Sequence, residues 1–414
     1  MFRLPLNGVR VLDLTMAWAG PYATRLLADM GAEVIKIEAV GNWDLLRSMT
    51  GQPPTVDRVW DKSPIFNHIN RNKYGCVLDL SMPRGLDLFL RLVEISDVVI
   101  ENFRADVMEN LGLTPEVLLE TNRQVIVVSM PGHGKSGPER DFIVYGTTAE
   151  QLAGLCHLTG YPGGPPQKTG ISYGDPINGI AAAGAVALGL WHRRRSGRGQ
   201  YIEVAQRENL INLIGEYIVG YSMHQREPPR RGNRHSSMAP HGCYPCLGDD
   251  QWLTIACETD PQFAALCAVM GRPELAADPR FADVVSRYRN QDALDEAIGV
   301  WTRGQTKEEA AEALQAAGVP AAPVLSVPEV FADPHLRARS FYETVAHSVA
   351  GTWEIEGPHW RMSESPAHIR LPAPAFGEHN DYVFRELLGL LDEEIAGLEA
   401  AGVTGRIPDW SVHE

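Results

Sequence analysis

The chain has 414 residues, which is too long for one ordinary hydrophobic core, so two domains are expected. Hydrophobic residues make up 44% of the sequence and charged residues 21%, as is typical of globular proteins. The formal net charge of −15 excludes a general nucleic-acid binder, because no long basic segment offsets it. An anionic ligand would therefore need a local basic pocket.

Neither a membrane span nor a signal peptide is expected. The longest apolar segment, residues 179–191, has 13 residues and runs into His192–Arg195. A membrane helix needs about 20 apolar residues, so this segment predicts a buried helix with a cationic C-terminus. Residues 1–6 contain no long apolar stretch of the kind that a signal peptide requires.

The six cysteines predict free thiols in a reducing compartment. Cys243 and Cys246 form a C-x-x-C pair, but no second pair follows at the spacing of a zinc site. Buried thiols without a metal are therefore expected, and the predicted location is the cytoplasm.

The first half of the chain predicts an α/β fold. Residues 9–14 and 33–37 are strand candidates, and residues 21–30 between them form an amphipathic helix pattern. A helix that directly joins two apolar strands implies a parallel sheet with a right-handed crossover. The pattern continues with further strands and helices, at 76–78, 83–95, 98–100, 114–120, 125–128 and 201–204. The expected fold is an open, mostly parallel, Rossmann-like sheet, whose ligands bind at the C-terminal strand ends.

The composition changes in the second half. Residues 221–234 are rich in arginine and contain two prolines, which predicts an exposed linker. Residues 235–325 then predict a smaller α+β domain, with a strand at 252–256 and a helix at 307–317. The tail predicts two further helices, at 381–391 and 392–401.

A glycine pattern at residues 132–137 matches G-x-G-x-x-G and follows a predicted strand. It comes late in the sheet, and the next residues, 138–141, do not predict a helix. A dinucleotide site needs that helix, because its N-terminus binds the pyrophosphate. We therefore interpret this segment as a surface turn.

Asp175 is the candidate catalytic residue. Pro176 suits the first turn of a helix, which places Asp175 at the N-cap, where its carboxylate accepts hydrogen bonds from free amides. The helix dipole favours the ionised acid, and Gly170 and Gly174 leave room for a ligand. Upstream, Thr147–Glu150 predicts a capping box. Spacing alone favours a structural N-cap over a catalytic role for Asp175.

Several stretches together resemble the class III CoA-transferase family, which includes formyl-CoA:oxalate and carnitine CoA-transferases. They span nearly the whole chain in the order that the family has, so the resemblance is more specific than any single motif. The matching segments are residues 6–14, 19–21, 26–38, 72–73, 101–104, 174–175, 197–200 and 377–379. The resemblance implies a discontinuous large domain of residues 1–220 and 326–414, a small domain of residues 235–325, and an interlocked homodimer.

The resemblance also assigns the chemistry. It implies that Asp175 is the nucleophile of a CoA-transferase, which forms an aspartyl anhydride and then an enzyme–CoA thioester. The substrates implied are an acyl-CoA and a carboxylic acid acceptor, with coenzyme A as a substrate rather than a permanently bound cofactor. No metal, nucleic acid or membrane partner is implied.

The family's CoA-binding positions correspond to Leu78, Asn102, Phe103, Arg104 and Val107. Arg104 is the candidate for a phosphate contact, because its guanidinium offers a fork of donors. Two residues near the expected reaction centre, Trp18 and Tyr145, complete the set of candidate binding residues.

The chain departs from the formyl-CoA enzyme at several positions. Ala39 and Asn110 stand where arginines are expected, and Trp18 stands where a glutamine is expected. The glycine-rich lid has no counterpart, and residues 231–241 are the alternative lid. These departures leave the acid substrates open and argue against oxalate.

Two alternatives remain open. The same superfamily contains α-methylacyl-CoA racemases, which carry a histidine in a Gly-His-Asp-x-Asn-Tyr motif, whereas Tyr145 stands at that place here. A catalytically silent CoA-binding protein would keep the sheet and make no use of Asp175.

Overall fold

The computed structural model describes residues 4–410, so the first three residues of the opening segment and the last four of the tail lie outside it. The described residues form two compact units. The larger unit comprises the chain up to Cys156, Lys168–Arg226 and the chain from Ala338 onward. The smaller unit comprises His157–Gln167 and Glu227–Arg337.

These boundaries differ from the predicted ones at two segments, because contacts distant in sequence hold both segments in the smaller unit. Residues 157–167 are bound by the backbone of Gly232, whose N–H donates to Gly160 O at 2.8 Å. Residues 326–337 are held by Lys307, whose Nζ lies 2.7 Å from Glu329 Oε1.

Six parallel strands form the sheet of the larger unit, in the order β3-β2-β1-β4-β5-β6. Their bounds are β1 (Arg10–Asp13), β2 (Glu33–Glu38), β3 (Lys73–Val77), β4 (Val98–Glu101), β5 (Ile126–Ser129) and β6 (Gln200–Glu203). Leu12 pairs with Ile35 on one side and with Val99 on the other. The strands other than β6 are almost continuously buried, as expected for a sheet covered on both faces, and β4 and β5 are also mostly apolar. The prediction of an open parallel α/β sheet is confirmed.

The α-helices within residues 4–226 are α1 (Ala19–Asp29), α2 (Pro64–Ile69), α3 (Pro83–Glu94), α4 (Val107–Asn110), α5 (Pro115–Thr121), α6 (Gly146–Leu152), α7 (Leu155–Leu158), α8 (Gly174–Ser196), α9 (Gln206–Asn212) and α10 (Gly215–His224). Short 3₁₀ turns occur at Leu45–Ser48 and Val59–Asp61. On one face of the sheet, α1 and α8 pack over β1, β4 and β5. The other face is covered by α3 and α5 together with side chains of the tail, among them Phe384 and Leu398.

The tail of the larger unit contains an antiparallel hairpin, a π-helical turn and a final helix. They are β10 (Tyr342–His347), β11 (Gly351–Glu356), the turn at Tyr382–Leu387 and α18 (Asp392–Ala400). The predicted helix at 381–391 is therefore shorter than expected, because the chain turns at Gly389, whose φ is +69°.

The smaller unit has its own core around an antiparallel three-stranded sheet. Its strands are β7 (His241–Pro245), β8 (Trp252–Ala256) and β9 (Ala321–Pro323), in the order β7-β8-β9. The helices in this part of the chain are α11 (Asp260–Val269), α12 (Glu274–Ala277), α13 (Val284–Arg289), α14 (Gln291–Thr302), α15 (Lys307–Ala316), α16 (Val327–Ala332) and α17 (Pro334–Ala338). Leu253, Phe263 and Leu314 lie at the centre of its core.

Helix α8 contains the apolar segment that was predicted to be a buried helix, and this prediction is only half right. Val186 and Gly189 face the sheet and are buried, whereas Leu188 is 71% and Trp191 59% exposed in the chain. Within residues 4–410, we find no helix that combines the length and apolar character needed to cross a membrane.

Candidate active site

The sheet changes its winding direction between β1 and β4. Strands β2 and β3 are added on one side of β1, and β4, β5 and β6 are added on the other. Open α/β sheets bind ligands at the C-terminal strand ends beside such a point. Asn102, which follows β4, accepts from Met16 N at 2.8 Å and donates to Met16 O at 2.8 Å. The loops after β1 and β4 are thereby joined at this edge.

Buried charged side chains fix the rest of the loop after β1. Lys36 Nζ donates to Thr15 O at 2.7 Å and lies 2.9 Å from Asp44 Oδ2. Asp44 Oδ1 accepts from Ala17 N at 3.1 Å. Ala17 has a φ of +61°, which is unusual for a residue with a side chain, and these contacts hold it there. The backbone that leads to Trp18 is therefore set before any ligand binds.

Asp13 anchors this charged group below the loop. It is fully buried and accepts from Thr24 Oγ1 at 2.6 Å and from Lys73 Nζ at 3.0 Å. Burial alone would raise the pKa of Asp13, but the charges of Lys73 and Lys36 outweigh burial and lower it. The carboxylate therefore stays ionised, and the ion pairs that brace the loop persist.

Asp175 lies within the first turn of α8, as the second residue of the helix. The prediction that it is the N-cap is wrong, because the helix starts at Gly174 and Tyr173 occupies the N-cap without a side-chain cap. The amide of Gly174 instead donates to Glu150 Oε1 at 2.7 Å. A carboxylate distant in sequence thus caps the helix, and the oxygens of Asp175 are not used for that purpose.

The Asp175 carboxylate is half-buried and faces α6. Ser172 Oγ donates to its Oδ2 at 2.5 Å. A Cβ on Gly146 would lie only 2.1 Å from the same oxygen, so glycine is required there for the close approach. Burial raises the pKa of Asp175, the Ser172 hydrogen bond lowers it, and the charge of Glu150 raises it further, with a raised pKa as the result.

Helices α1 and α8 begin at the same end of the larger unit. Gly179 of α8 packs against the first turns of α1, where a Cβ would lie 2.7 Å from Ala19 O and 3.1 Å from Ala23 N. Further along, Val186 of α8 packs in the same cluster as Leu26 of α1. The two helices therefore run in the same direction, which places the first turn of α8 at the same end as the loop after β1.

Trp18 occupies the N-cap position of α1 at this end, and its indole ring is partly buried beside Leu46 and Phe66. Its Nε1 is buried and has no hydrogen-bond partner among residues 4–410. Tyr145 precedes Gly146, which touches Asp175, and its side chain is 66% exposed. The structure thus brings Trp18, Asn102 and the neighbours of Asp175 to one end of the larger unit.

The other predicted binding residues differ in accessibility. Leu78 is 1% exposed and packs in the main core, so it presents no side-chain surface to a ligand. Phe103 and Val107 are half-buried on either side of Arg104. Arg104 is exposed, and its Nε and Nη2 each donate to Asp106 at 2.6 Å.

Residues 4–410 hold no group of three or more His, Cys, Asp or Glu residues able to bind a metal ion. Cys243 and Cys246 are free thiols on and just after β7. The carboxylate of Asp175 is half-buried, and burial is the main cause of its raised pKa. Such a group can attack an activated carbonyl.

Sequence reasoning missed Glu150 and Ser172. The segment Thr147–Glu150 predicted a capping box, but the box is formed two residues earlier, where Thr148 Oγ1 accepts from Tyr145 N at 2.9 Å. Glu150 is thereby left to face Gly174. The spacing of Ser172 and Asp175 by three residues was the available signal for their contact.

Comparisons with known proteins place these features in a family. Residues 6–380 match the family model described as CoA-transferase family III. The chain is 36% identical to a succinyl-CoA–D-citramalate CoA-transferase from Chloroflexus aurantiacus, over 96% of this chain and 98% of that protein. It is 34% identical to a succinate–glutarate CoA-transferase from Agrobacterium fabrum, over 92% and 96% of the two chains. A crystal structure of a CaiB/BaiF family protein from Brucella suis matches with a TM-score of 0.84 and 31% identity, over 93% of this chain and all of that one.

Proposed function

Since the chain belongs to CoA-transferase family III and is a CoA-transferase, we propose that it transfers CoA between two organic acids through covalent intermediates on Asp175. One observation carries the proposal. The carboxylate of Asp175 has a raised pKa and lies in the first turn of α8, at the same end of the larger unit as the loops after β1 and β4. It does not cap the helix.

The reaction begins when an Asp175 oxygen attacks the thioester carbonyl of the acyl-CoA. The carbon–sulfur bond breaks, which gives an acyl-aspartyl anhydride and the CoA thiolate. The thiolate then attacks the aspartyl carbonyl, and the first acid leaves as its carboxylate. The product is an enzyme–CoA thioester on Asp175.

The second half repeats these steps in reverse. The acceptor carboxylate attacks the aspartyl thioester, which gives a new anhydride and releases the thiolate. The thiolate attacks the acyl carbonyl of the acceptor, and the new acyl-CoA leaves with Asp175 restored. Both intermediates hydrolyse in water, and the burial that raises the Asp175 pKa also limits water access.

We further propose succinyl-CoA as the donor and a four- or five-carbon dicarboxylic acid as the acceptor. The support is the similarity, at 36% and 34% identity, to relatives whose names specify succinyl-CoA with citramalate and succinate with glutarate. Trp18 lies at the end of the larger unit where α1 and α8 begin, and its indole ring fills space that a smaller side chain would leave open. Its buried indole N–H has no partner among residues 4–410, and we propose that a movement of the ring on substrate binding lets it donate to a substrate carboxylate.

For CoA itself, the proposed contacts are Phe103 and Arg104 in the loop after β4 and Val107 at the start of α4. Trp18 and Tyr145 are proposed to lie beside the reacting carbonyl. Asn102 acts on the same site by holding Met16. Leu78 contributes only packing beneath these residues.

A homodimer is part of the proposal. Helix α10 is mostly apolar and has no buried residue in the single chain, and Met223 on it is 69% exposed. Helix α8 adds the exposed Ile180, Leu188 and Trp191 along one face. Apolar surface of this extent indicates a partner, and a second copy fits the expected interlocked assembly. Six unpaired cysteines support a cytoplasmic location.

The experiment is a screen of the purified protein with succinyl-CoA and a set of carboxylic acids, read by mass spectrometry of the acyl-CoA products. New acyl-CoA thioesters are expected with citramalate, malate, glutarate or mesaconate, and not with oxalate. Incubation of a 2-methylacyl-CoA in deuterated water serves as the control for racemase chemistry and should leave the α-hydrogen in place. Deuterium exchange without any CoA transfer would overturn the proposal.

A further inference from the structure

Glu150 is a buried carboxylate outside the predicted site. It lies on α6 and is 1% exposed. Its Oε1 accepts from Gly174 N at 2.7 Å, and its Oε2 lies 3.5 Å from Thr169 Oγ1. Burial of a charged carboxylate costs free energy unless hydrogen bonds or an ion pair compensate it, and Glu150 is in contact with one amide and one hydroxyl.

The contact with Gly174 sets the direction of Asp175. Gly174 is the residue before Asp175, and a Cβ on it would lie 3.0 Å from Leu210 and 3.1 Å from Glu150. Its peptide is therefore held between α9 and α6, and the hydrogen bond to Glu150 orients the N–H. A shift of this peptide would turn the Asp175 side chain directly.

The charge of Glu150 also acts on Asp175, where it raises the pKa of that carboxyl. From α9, Arg207 pairs with Glu139, and Glu208 is exposed. From α1, Arg25 pairs with Glu356. Lys168 and Glu150 both act on the Cys156 thiol, whereas among residues 4–410 the charged group that acts on the Asp175 carboxylate is Glu150.

We propose that Glu150 is a positioning residue that orients Asp175 through Gly174 and, by its charge, favours the acylated form of Asp175 over the free carboxylate. This inference rests on the proposed function. When Asp175 attacks the thioester, its negative charge passes to the carbonyl oxygen and then leaves with the CoA thiolate. The repulsion between the two carboxylates is relieved in that step, so Glu150 promotes it.

Two variants separate the two roles. Glu150→Gln keeps an acceptor for Gly174 N–H and removes the charge. In the pH profile of kcat/KM, the acid limb reports the ionisation of Asp175, and it should move to lower pH by about one unit. The fraction of enzyme that carries CoA covalently at equilibrium should fall. Glu150→Asp keeps the charge and withdraws it from Gly174, so kcat should fall about tenfold while the acid limb stays in place.

Ser172→Ala is the matched control, because it removes the hydrogen bond that lowers the Asp175 pKa. Its acid limb should move to higher pH, opposite to that of Glu150→Gln. Thermal stability is measured for every variant. A purely structural role would lower Tm in the Glu150 variants and leave the acid limb of Glu150→Gln unchanged.

The inference is overturned if Glu150→Gln keeps the acid limb and the covalent fraction of the unmodified enzyme. It is also overturned if Glu150→Asp keeps full kcat, a test that stands even if Glu150→Gln does not fold. Failure of the proposed function is seen separately, because Asp175→Asn would then retain CoA transfer whatever the Glu150 variants do.

Discussion

Asn102 satisfies both backbone polar groups of Met16, with its Oδ1 2.8 Å from Met16 N and its Nδ2 2.8 Å from Met16 O. The side chain that the family resemblance assigned to CoA is thus engaged within the protein. It joins the loop after β1 to the end of β4 at the point where the sheet changes direction. Asn102 therefore serves the site by holding its backbone in place.

Asn102→Asp is expected to lower kcat/KM about tenfold or more, because aspartate cannot donate to Met16 O and repels it. The matched control is Asn122→Asp, since Asn122 Nδ2 donates to Val93 O at the end of α3 and to Ser96 O between α3 and β4. Both variants should lose about 1–3 kcal/mol of stability, measured by denaturant unfolding. Only the first should lose activity, and equal activity losses would contradict the assignment.

Gly179→Ala is expected to separate the starts of α1 and α8, because the new Cβ would lie 2.7 Å from Ala19 O. Overpacking of this kind costs about 1–3 kcal/mol, which a thermal scan would detect as a lower Tm. Activity should fall as well, since Asp175 and Trp18 lie at the displaced ends. Gly397→Ala in α18, where nothing lies within 4 Å, is the control and should leave both quantities near their original values.

Arg104→Ala is expected to raise KM for the acyl-CoA about tenfold and to leave kcat nearly unchanged, because a remote anchor binds ground and transition states alike. Asp106→Asn should lower KM modestly, since Asp106 occupies the Arg104 guanidinium in the free protein. Arg84→Ala, at an exposed pair with Asp87 on α3, is the control. An unchanged KM in Arg104→Ala would place the phosphate anchor elsewhere.

Glu356 of β11 ties the tail to the first half of the larger unit. Burial would raise its pKa, but His68, Arg71 and Arg25 lower it to about 2. A carboxylate with a depressed pKa stabilises the fold above the unfolded-state pKa of about 4.5, and the gain disappears as pH falls through the folded-state value.

Glu356→Gln should therefore destabilise the protein by at most about 3 kcal/mol near pH 6, and the difference should shrink between pH 4.5 and pH 2. Urea unfolding at a series of pH values measures it, with Glu386→Gln in the same unit as the control. A difference that stayed constant with pH would show that the ion pairs of Glu356 do not stabilise the fold.

The strands and most helices could be predicted because their signal is local. An apolar segment such as Val98–Ile100 is buried on both faces wherever it pairs, and Pro83 and Pro115 mark helix starts by their own backbone restriction. The position of Asp175 near the start of a helix was predicted for the same reason, to within two residues.

What could not be predicted depends on contacts between distant residues. The cap of α8 comes from Glu150, 24 positions upstream, and no local pattern indicates that contact. The clamp of Met16 by Asn102 spans 86 positions and appears only once β1 and β4 are neighbours. Leu78 was assigned to a ligand surface by resemblance, but its burial is set by α3 and the tail, which close over it.

The central claim is that Asp175 becomes covalently bonded to substrate, and isotope transfer tests it most directly. During turnover with succinyl-CoA and an acceptor acid labelled with oxygen-18 in its carboxylate, one labelled oxygen should remain on Asp175 when the new acyl-CoA leaves. Mass spectrometry of the digested enzyme should then find the heavy isotope in the peptide that contains Asp175. Asp175→Asn should be folded and inactive, and should acquire no label. Turnover that leaves Asp175 unlabelled, or that labels Glu150 instead, would contradict the account.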